Sequence, residues 1–359
     1  MRVGLASATV VALATLAMAG CELPPLPAPG TPEAQAVPVP PPRPRPEPLV
    51  AAPQPDTRPA VVPPPPPVRV GTSLPTIKPG DSVRRLTVSA AKRTYLLHVP
   101  TGYEAGTPRP LLIVLHGRGG SAAGARGWGF STRADQKGWL VVYPEALPPT
   151  RSWSTQLGTG KANADDVAYL EAMLGDLALT VSLDPQRVYA VGYSTGGSFA
   201  AHLAGTLKAP SIAAVAIVGS NIATQTRGST PVSVKLPDRA IPALFIHGRA
   251  DRAAPFRGGP SILLDGANTL GASEGMALWA RAAGCSENPV PTRLGAIEQL
   301  HHEGCAGGTR VELETHAGGH EWPRNLALDP RRGTPTVDHV MDFLEHGQTG
   351  SSARAGSAP

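Results

Sequence analysis

Ser194 lies in Gly192-Tyr193-Ser194-Thr195-Gly196, a G-x-S-x-G pentapeptide. A serine hydroxyl is a weak nucleophile until a base takes its proton, and the base needs an acid to orient it. On a strand-turn-helix serine, the partners follow in the order Ser, acid, His, on loops leaving the C-terminal ends of strands. Asp251, in His247-Gly248-Arg249-Ala250-Asp251, meets the demand for the acid, just past the apolar run 243–247. Asp238 precedes that run, and Asp265 and Asp329 leave no strand end. His320, in Ala317-Gly318-Gly319-His320-Glu321-Trp322-Pro323, meets the demand for the base. His316 belongs to the strand before it, and His339 and His346 to a terminal helix. His301 and His302 stand before Cys305, away from any core strand.

Attack on a carbonyl also creates an oxyanion, which needs preorganised N–H donors. The Thr195 N–H, opening the helix after the serine, is one candidate. The Arg118 N–H, in His116-Gly117-Arg118-Gly119-Gly120, is the other. No lysine and no G-x-x-x-x-G-K-[ST] pattern accompany that loop, so it is no phosphate cradle. Trp153 and Trp322 are candidates for substrate binding at a pocket mouth, Trp322 because it follows the base by two residues. Asp165-Asp166 could suggest a metal or a carboxylate pair, but at the head of a helix they read as an N-cap and a dipole partner. No metal and no cofactor are expected.

Elements must hold these residues in place. Arg187 to Val191 is β-branched, aromatic and apolar without a breaker, as a buried parallel strand should be. Phe199 to Leu203 is apolar and Ala-rich, which suits a helix packed on a sheet. Runs 84–89 and 93–99 read as a hairpin turning at Ala90-Ala91-Lys92. Strands follow at 111–115, 139–143, 212–218, 243–247 and 310–316, and Asp184-Pro185 reads as a turn into the serine strand. Residues 121–137 read as a loop and helix. Further helices fit 165–181, 267–283 and 335–346, the first with Val167, Leu170, Met173, Leu174, Leu177 and Val181 on one side. This alternation predicts an α/β fold with a mostly parallel sheet and helices on both faces.

Outside that domain the character changes. Residues 1–20 carry Arg2 and then an uncharged run, the pattern of an export signal. The run ends in Ala17-Met18-Ala19-Gly20-Cys21, which resembles a bacterial lipobox with Cys21 as the lipidation site and membrane anchor. Residues 21–80 hold more than half of the chain's 41 prolines and read as a polyproline-II-rich stalk. Residues 81–346 form the catalytic domain and 347–359 a Gly/Ser/Ala-rich tail. The net charge of +5 comes with no long basic run, which argues against nucleic acid. Cys285 and Cys305 are an even pair in an exported chain and read as a disulfide. A monomer is expected.

The loop 116–120, the elbow 192–197, the acid motif 247–251 and Gly318-Gly319-His320-Glu321-Trp322-Pro323 together resemble one family. It is the secreted poly(3-hydroxybutyrate) depolymerase and feruloyl/acetylxylan esterase group of the α/β-hydrolases. The resemblance covers roughly residues 85–345, with Ala254-Pro255-Phe256 where the family usually carries Val-Pro-Tyr. It implies Ser194, Asp251 and His320 as a triad, a Cys285–Cys305 bridge, and hydrolysis of short-acyl, hydroxyacyl, feruloyl or acetyl esters. Two other readings compete. A cell-envelope acyltransferase could use the same residues if water were excluded, and a surface lipoprotein could keep the fold without catalysis.

Overall fold

The computed structural model describes residues 77–347, apart from 156, 158–164, 227, 296 and 327–333. The export signal, Cys21, nearly all of the stalk, Asp329 and the tail from 348 lie outside the described residues.

Alternation along the strands builds two cores from one sheet. In β3 (Arg109–Leu115), Leu111, Ile113 and Leu115 point to one side, and Leu112 and Val114 to the other. The same alternation divides Val188 and Ala190 from Tyr189 and Val191 in β5 (Leu183–Tyr193). The first face is covered by α3 (Asp166–Ala178), α4 (Thr195–Thr206) and α5 (Ala272–Ala282), through Met173, Phe199 and Trp279 among others. The second is covered by α1 (Ala122–Arg126), α2 (Phe130–Lys137) and α6 (Thr336–His346), through Ala122, Phe130 and Phe343. Each such large side chain, fully buried, stabilises the fold by roughly 1.5–3 kcal/mol before entropy is counted.

The remaining strands of the main sheet are β1 (Gly80–Val88), β2 (Ala91–Val99), β4 (Leu140–Pro144), β6 (Ala214–Val218), β9 (Ala243–Gly248), β12 (Val290–Leu294), β13 (Ile297–His302) and β14 (Val311–His316). Their order is β1-β2-β4-β3-β5-β6-β9-β14-β13-β12. From β4 to β14 all neighbours are parallel, and the strands at both edges are antiparallel. This is the α/β-hydrolase fold. Short strands β7 (Ala223–Thr224), β8 (Val232–Ser233), β10 (Gly259–Pro260) and β11 (Asn268–Thr269) make a small second sheet, and β15 (Asn325–Leu326) pairs with β16 (Thr334–Pro335).

The structure departs from the sequence reading in a few places. The first hairpin turns one residue earlier, at Ser89-Ala90, both at positive φ (47° and 66°), the geometry of a tight hairpin turn. Asp184 and Pro185 belong to β5 itself, and α5 begins at Ala272 because β11 occupies 268–269. His301 and His302 lie on β13, paired with β14, and are not away from the sheet. The Cys285–Cys305 disulfide forms around the β12–β13 hairpin, linking the end of α5 to the turn before β14.

Candidate active site

β5 delivers Ser194 into a backbone conformation that a side chain seldom takes, with φ 58° and ψ −129°. Such strain costs about 1–3 kcal/mol and persists only where the surroundings over-determine it. Here the Ser194 N–H donates to Val218 O (2.9 Å) and the Gly197 N–H to Ser194 O (2.8 Å). Glycines make the crossing possible. A Cβ on Gly192 would lie 2.0 Å from Gly196 O, and one on Gly196 would lie 2.5 Å from both Leu115 O and His116 O.

Ser194 Oγ lies 2.9 Å from His320 Nε2, and His320 Nδ1 lies 2.8 Å from Asp251 Oδ2. An ionised Asp251 can only accept, so Nδ1 carries the proton and Nε2 is free to accept from the serine. The loops of acid and base are tied together: Arg249 N–H donates to His316 O (2.8 Å) and Ala250 N–H to Gly318 O (3.0 Å). Asp251 is buried, which by itself would raise its carboxyl. The hydrogen bond from His320, that from the Ala254 N–H and the charges of His320 and His247 outweigh burial and hold the carboxyl below its ordinary value. Its other oxygen accepts from Ala253 and Ala254 N–H, each at 2.9 Å.

His247 stands 3.5 Å from the same carboxylate, yet its role differs. Burial lowers its pKa, and its Nε2–H is directed to Ala254 O at 2.8 Å. It props the acid loop. Tyr193 stacks on the His320 ring at 5.1 Å, and Trp128 meets Tyr193 edge-on. These three contacts leave no motif in a single sequence, and position beside a recognised residue is the one signal that could have found them.

The loop 116–120 touches the nucleophile: a Cβ on Gly117 would sit 2.9 Å from Ser194 Cβ and 3.4 Å from its Oγ. His116 is buried with a lowered pKa, mainly through burial. Its Nε2 accepts the Ala146 N–H (3.2 Å), so Nδ1 carries the proton and donates to Gly117 O (2.7 Å). Among the described residues, neither the Arg118 N–H nor the Thr195 N–H donates to another loop or turn carbonyl. The Arg118 side chain turns outward to Asp265 Oδ1 (3.3 Å) and Leu263 O (3.5 Å).

The two tryptophans part company. Trp153 is not at a pocket mouth: it is 4% exposed, stacked on Phe199 at 5.1 Å, with its Nε1–H donating to His116 O at 2.7 Å. A core environment with a carbonyl for the indole N–H took it inward. Trp322 is half-buried, stacks on Trp128 at 4.3 Å, and lines a cavity of about 540 Å³ with His316, Glu321 and Arg324. Asp165 caps α3 by accepting from Ala168 N–H, as its position suggested. Asp166 does more: buried, it pairs with Arg93 at 2.7 Å and accepts the Ser154 N–H at 2.8 Å.

The family model described as Esterase PHB depolymerase matches residues 93–267. An esterase-assigned protein of Nocardia uniformis subsp. tsuyamanensis, NocK, is 32% identical over 292 residues, 73% of this chain and 82% of that one. Feruloyl esterase B of Piromyces equi is 28% identical over 232 residues, 64% of this chain but 42% of that longer protein. Among solved structures, esterase 2 of Thermogutta terrifontis superposes with a TM-score of 0.50 at 18% identity, over 77% of this chain and 97% of that one.

Proposed function

The chain belongs to the PHB-depolymerase esterase family and is a carboxylic ester hydrolase, and from that premise we propose that Ser194, His320 and Asp251 carry out the hydrolysis. Ser194 Oγ attacks the ester carbonyl as His320 Nε2 takes its proton. The oxyanion accepts hydrogen bonds from the Thr195 and Arg118 N–H groups. His320 then hands the proton to the leaving alkoxide, and the alcohol departs. A water molecule, deprotonated by the same nitrogen, attacks the acyl-enzyme, and its collapse returns Ser194 and frees the acid. Asp251 keeps Nδ1 protonated and stabilises the imidazolium formed in each half-reaction. The observation that carries this reading is the continuous Oγ···Nε2 (2.9 Å), Nδ1···Oδ2 (2.8 Å) chain ending at a strained serine.

The substrate is an ester of a short acyl, hydroxyacyl or aromatic acid. Feruloyl esterases among the relatives support the aromatic end of that range. The segments about the site support an oxygen-rich substrate, since 118–129 and 221–237 are polar and Gly-rich and bring no long apolar lid. The chain works outside the cytoplasm, carried by the signal at 1–20, anchored through lipidated Cys21 and held off the membrane by the 21–80 stalk.

Each buried CH₂ adds about 0.8 kcal/mol only while the pocket has room. Acetyl to butyryl p-nitrophenyl esters should therefore exceed the palmitoyl ester in kcat/KM by at least about tenfold. A maximum at long acyl chains would end the short-acyl reading.

A further inference from the structure

The segment 150–154 grips the oxyanion loop on both sides of Arg118. Downstream of Arg118, the Gly119 N–H donates to Thr150 O and Arg151 O, each at 3.1 Å. Upstream, the Trp153 indole N–H donates to His116 O at 2.7 Å. That carbonyl is also where the elbow docks, because a Cβ on Gly196 would lie 2.5 Å from it. The His116 carbonyl, with that of Leu115, thus stands between the loop that bears the Arg118 N–H and the helix that bears the Thr195 N–H. The grip is anchored in turn. Asp166 accepts the Ser154 N–H at 2.8 Å and is itself fixed by buried Arg93. The indole plane is fixed by Phe199, parallel to it within 5°.

We infer that Trp153 is a positioning residue for the oxyanion hole, acting through the His116 carbonyl. It touches neither substrate nor the reacting atoms. Its N–H removes the freedom of the His116–Gly117 peptide to rotate, and that freedom would carry the Arg118 N–H off the oxyanion. The inference rests on the roles of Ser194 and Arg118 proposed above. Two further contacts serve the same end: the His116 Nδ1–H and the Gly120 N–H both donate to Gly117 O, at 2.7 and 2.9 Å, and so fix the peptide that carries the Arg118 N–H.

Trp153→Phe keeps an aromatic ring over Phe199 and deletes the donor. Losing an oxyanion donor outright costs about 10²–10³ in kcat, so a displaced one should cost about 10- to 100-fold. With p-nitrophenyl acetate, kcat should fall by that factor while KM stays within about threefold, the split expected of an interaction made only in the transition state. The inhibition constant of a trifluoromethyl ketone, whose hemiketal oxyanion occupies the hole, should rise by the same factor. The acid limb of the kcat/KM profile should not move, because His320 and Asp251 are untouched. Replacing Trp153 by 3-benzothienylalanine, the sulfur isostere without the N–H, gives the same reading if the Phe variant folds poorly. A kcat within twofold of wild type, an unchanged ketone affinity, or a shifted acid limb would each overturn the inference. Ser194→Ala run alongside separates the two levels: if it retains hydrolysis, the nucleophile assignment itself has failed.

Discussion

His320 can accept a proton at Nε2 only while its other nitrogen stays protonated, and Asp251 is what enforces that tautomer. Asp251→Asn would place an amide at the same point, and its N–H₂ could donate to Nδ1 and reverse the ring. The expected loss in kcat is about 10⁴, with little change in stability, as removal of a triad acid produces elsewhere. Steady-state kinetics with a folded-state check by circular dichroism measures it, and a rate near wild type would reassign the acid. Ser194 and Asp251 were legible because each stands just past an apolar run where a strand must end, and His320 because it follows the last strand in a Gly-rich loop; the structure brings the three into one hydrogen-bonded chain. Trp153 was legible only as an aromatic near the site. Nothing in its neighbours' identities says that the indole turns inward to a main-chain carbonyl, since that depends on the path of the loop that follows β4.

At the scale of elements, the crossing of β5, α4 and the loop after β3 depends on absent side chains. Gly196→Ala should destabilise the domain by several kcal/mol and abolish activity, because its Cβ would meet two backbone carbonyl oxygens that cannot swing aside. Gly175→Ala is the opposite case. That glycine lies inside α3 with open space around it, so alanine should stabilise by about 0.5–1 kcal/mol. Urea unfolding of both variants checks the pair, and a neutral Gly196→Ala would mean the elbow is looser than drawn. Most of the parallel strands were readable from unbroken apolar runs, while β14, interrupted by Glu312 and Glu314, was readable from its alternation. The β12–β13 hairpin was not: β12 is an edge strand with Pro291 and mostly exposed side chains, so no alternation marks it. Its place is set by pairing with β14, a long-range contact that local pattern does not contain.

For the whole molecule, histidines buried in the neutral form make stability fall in acid. His116, His202, His247 and His316 all have lowered pKa values, in each case chiefly through burial. Their folded pKa values lie below 6.5, the ordinary value they regain on unfolding. Below that pH the unfolded chain binds more protons than the folded one, so stability falls as pH drops through 6.5 toward the folded values. Asp251, depressed from 3.8, adds a loss in the same direction at lower pH. Urea midpoints should therefore be lower at pH 5.5 than at pH 7.5, and His202→Gln should narrow the difference without removing it, since burial alone shifts that ring and three other buried histidines remain. A flat wild-type profile would contradict neutral burial of these rings.

The central claim is that Ser194 is the nucleophile of an ester hydrolase, activated by His320. Labelling with a fluorophosphonate, followed by mass spectrometry of the peptides, tests it most directly. The account predicts one adduct, on the peptide bearing Ser194, absent in Ser194→Ala and slowed by about 10³-fold or more in His320→Ala. An adduct on a different serine, or full ester hydrolysis by Ser194→Ala, would contradict it.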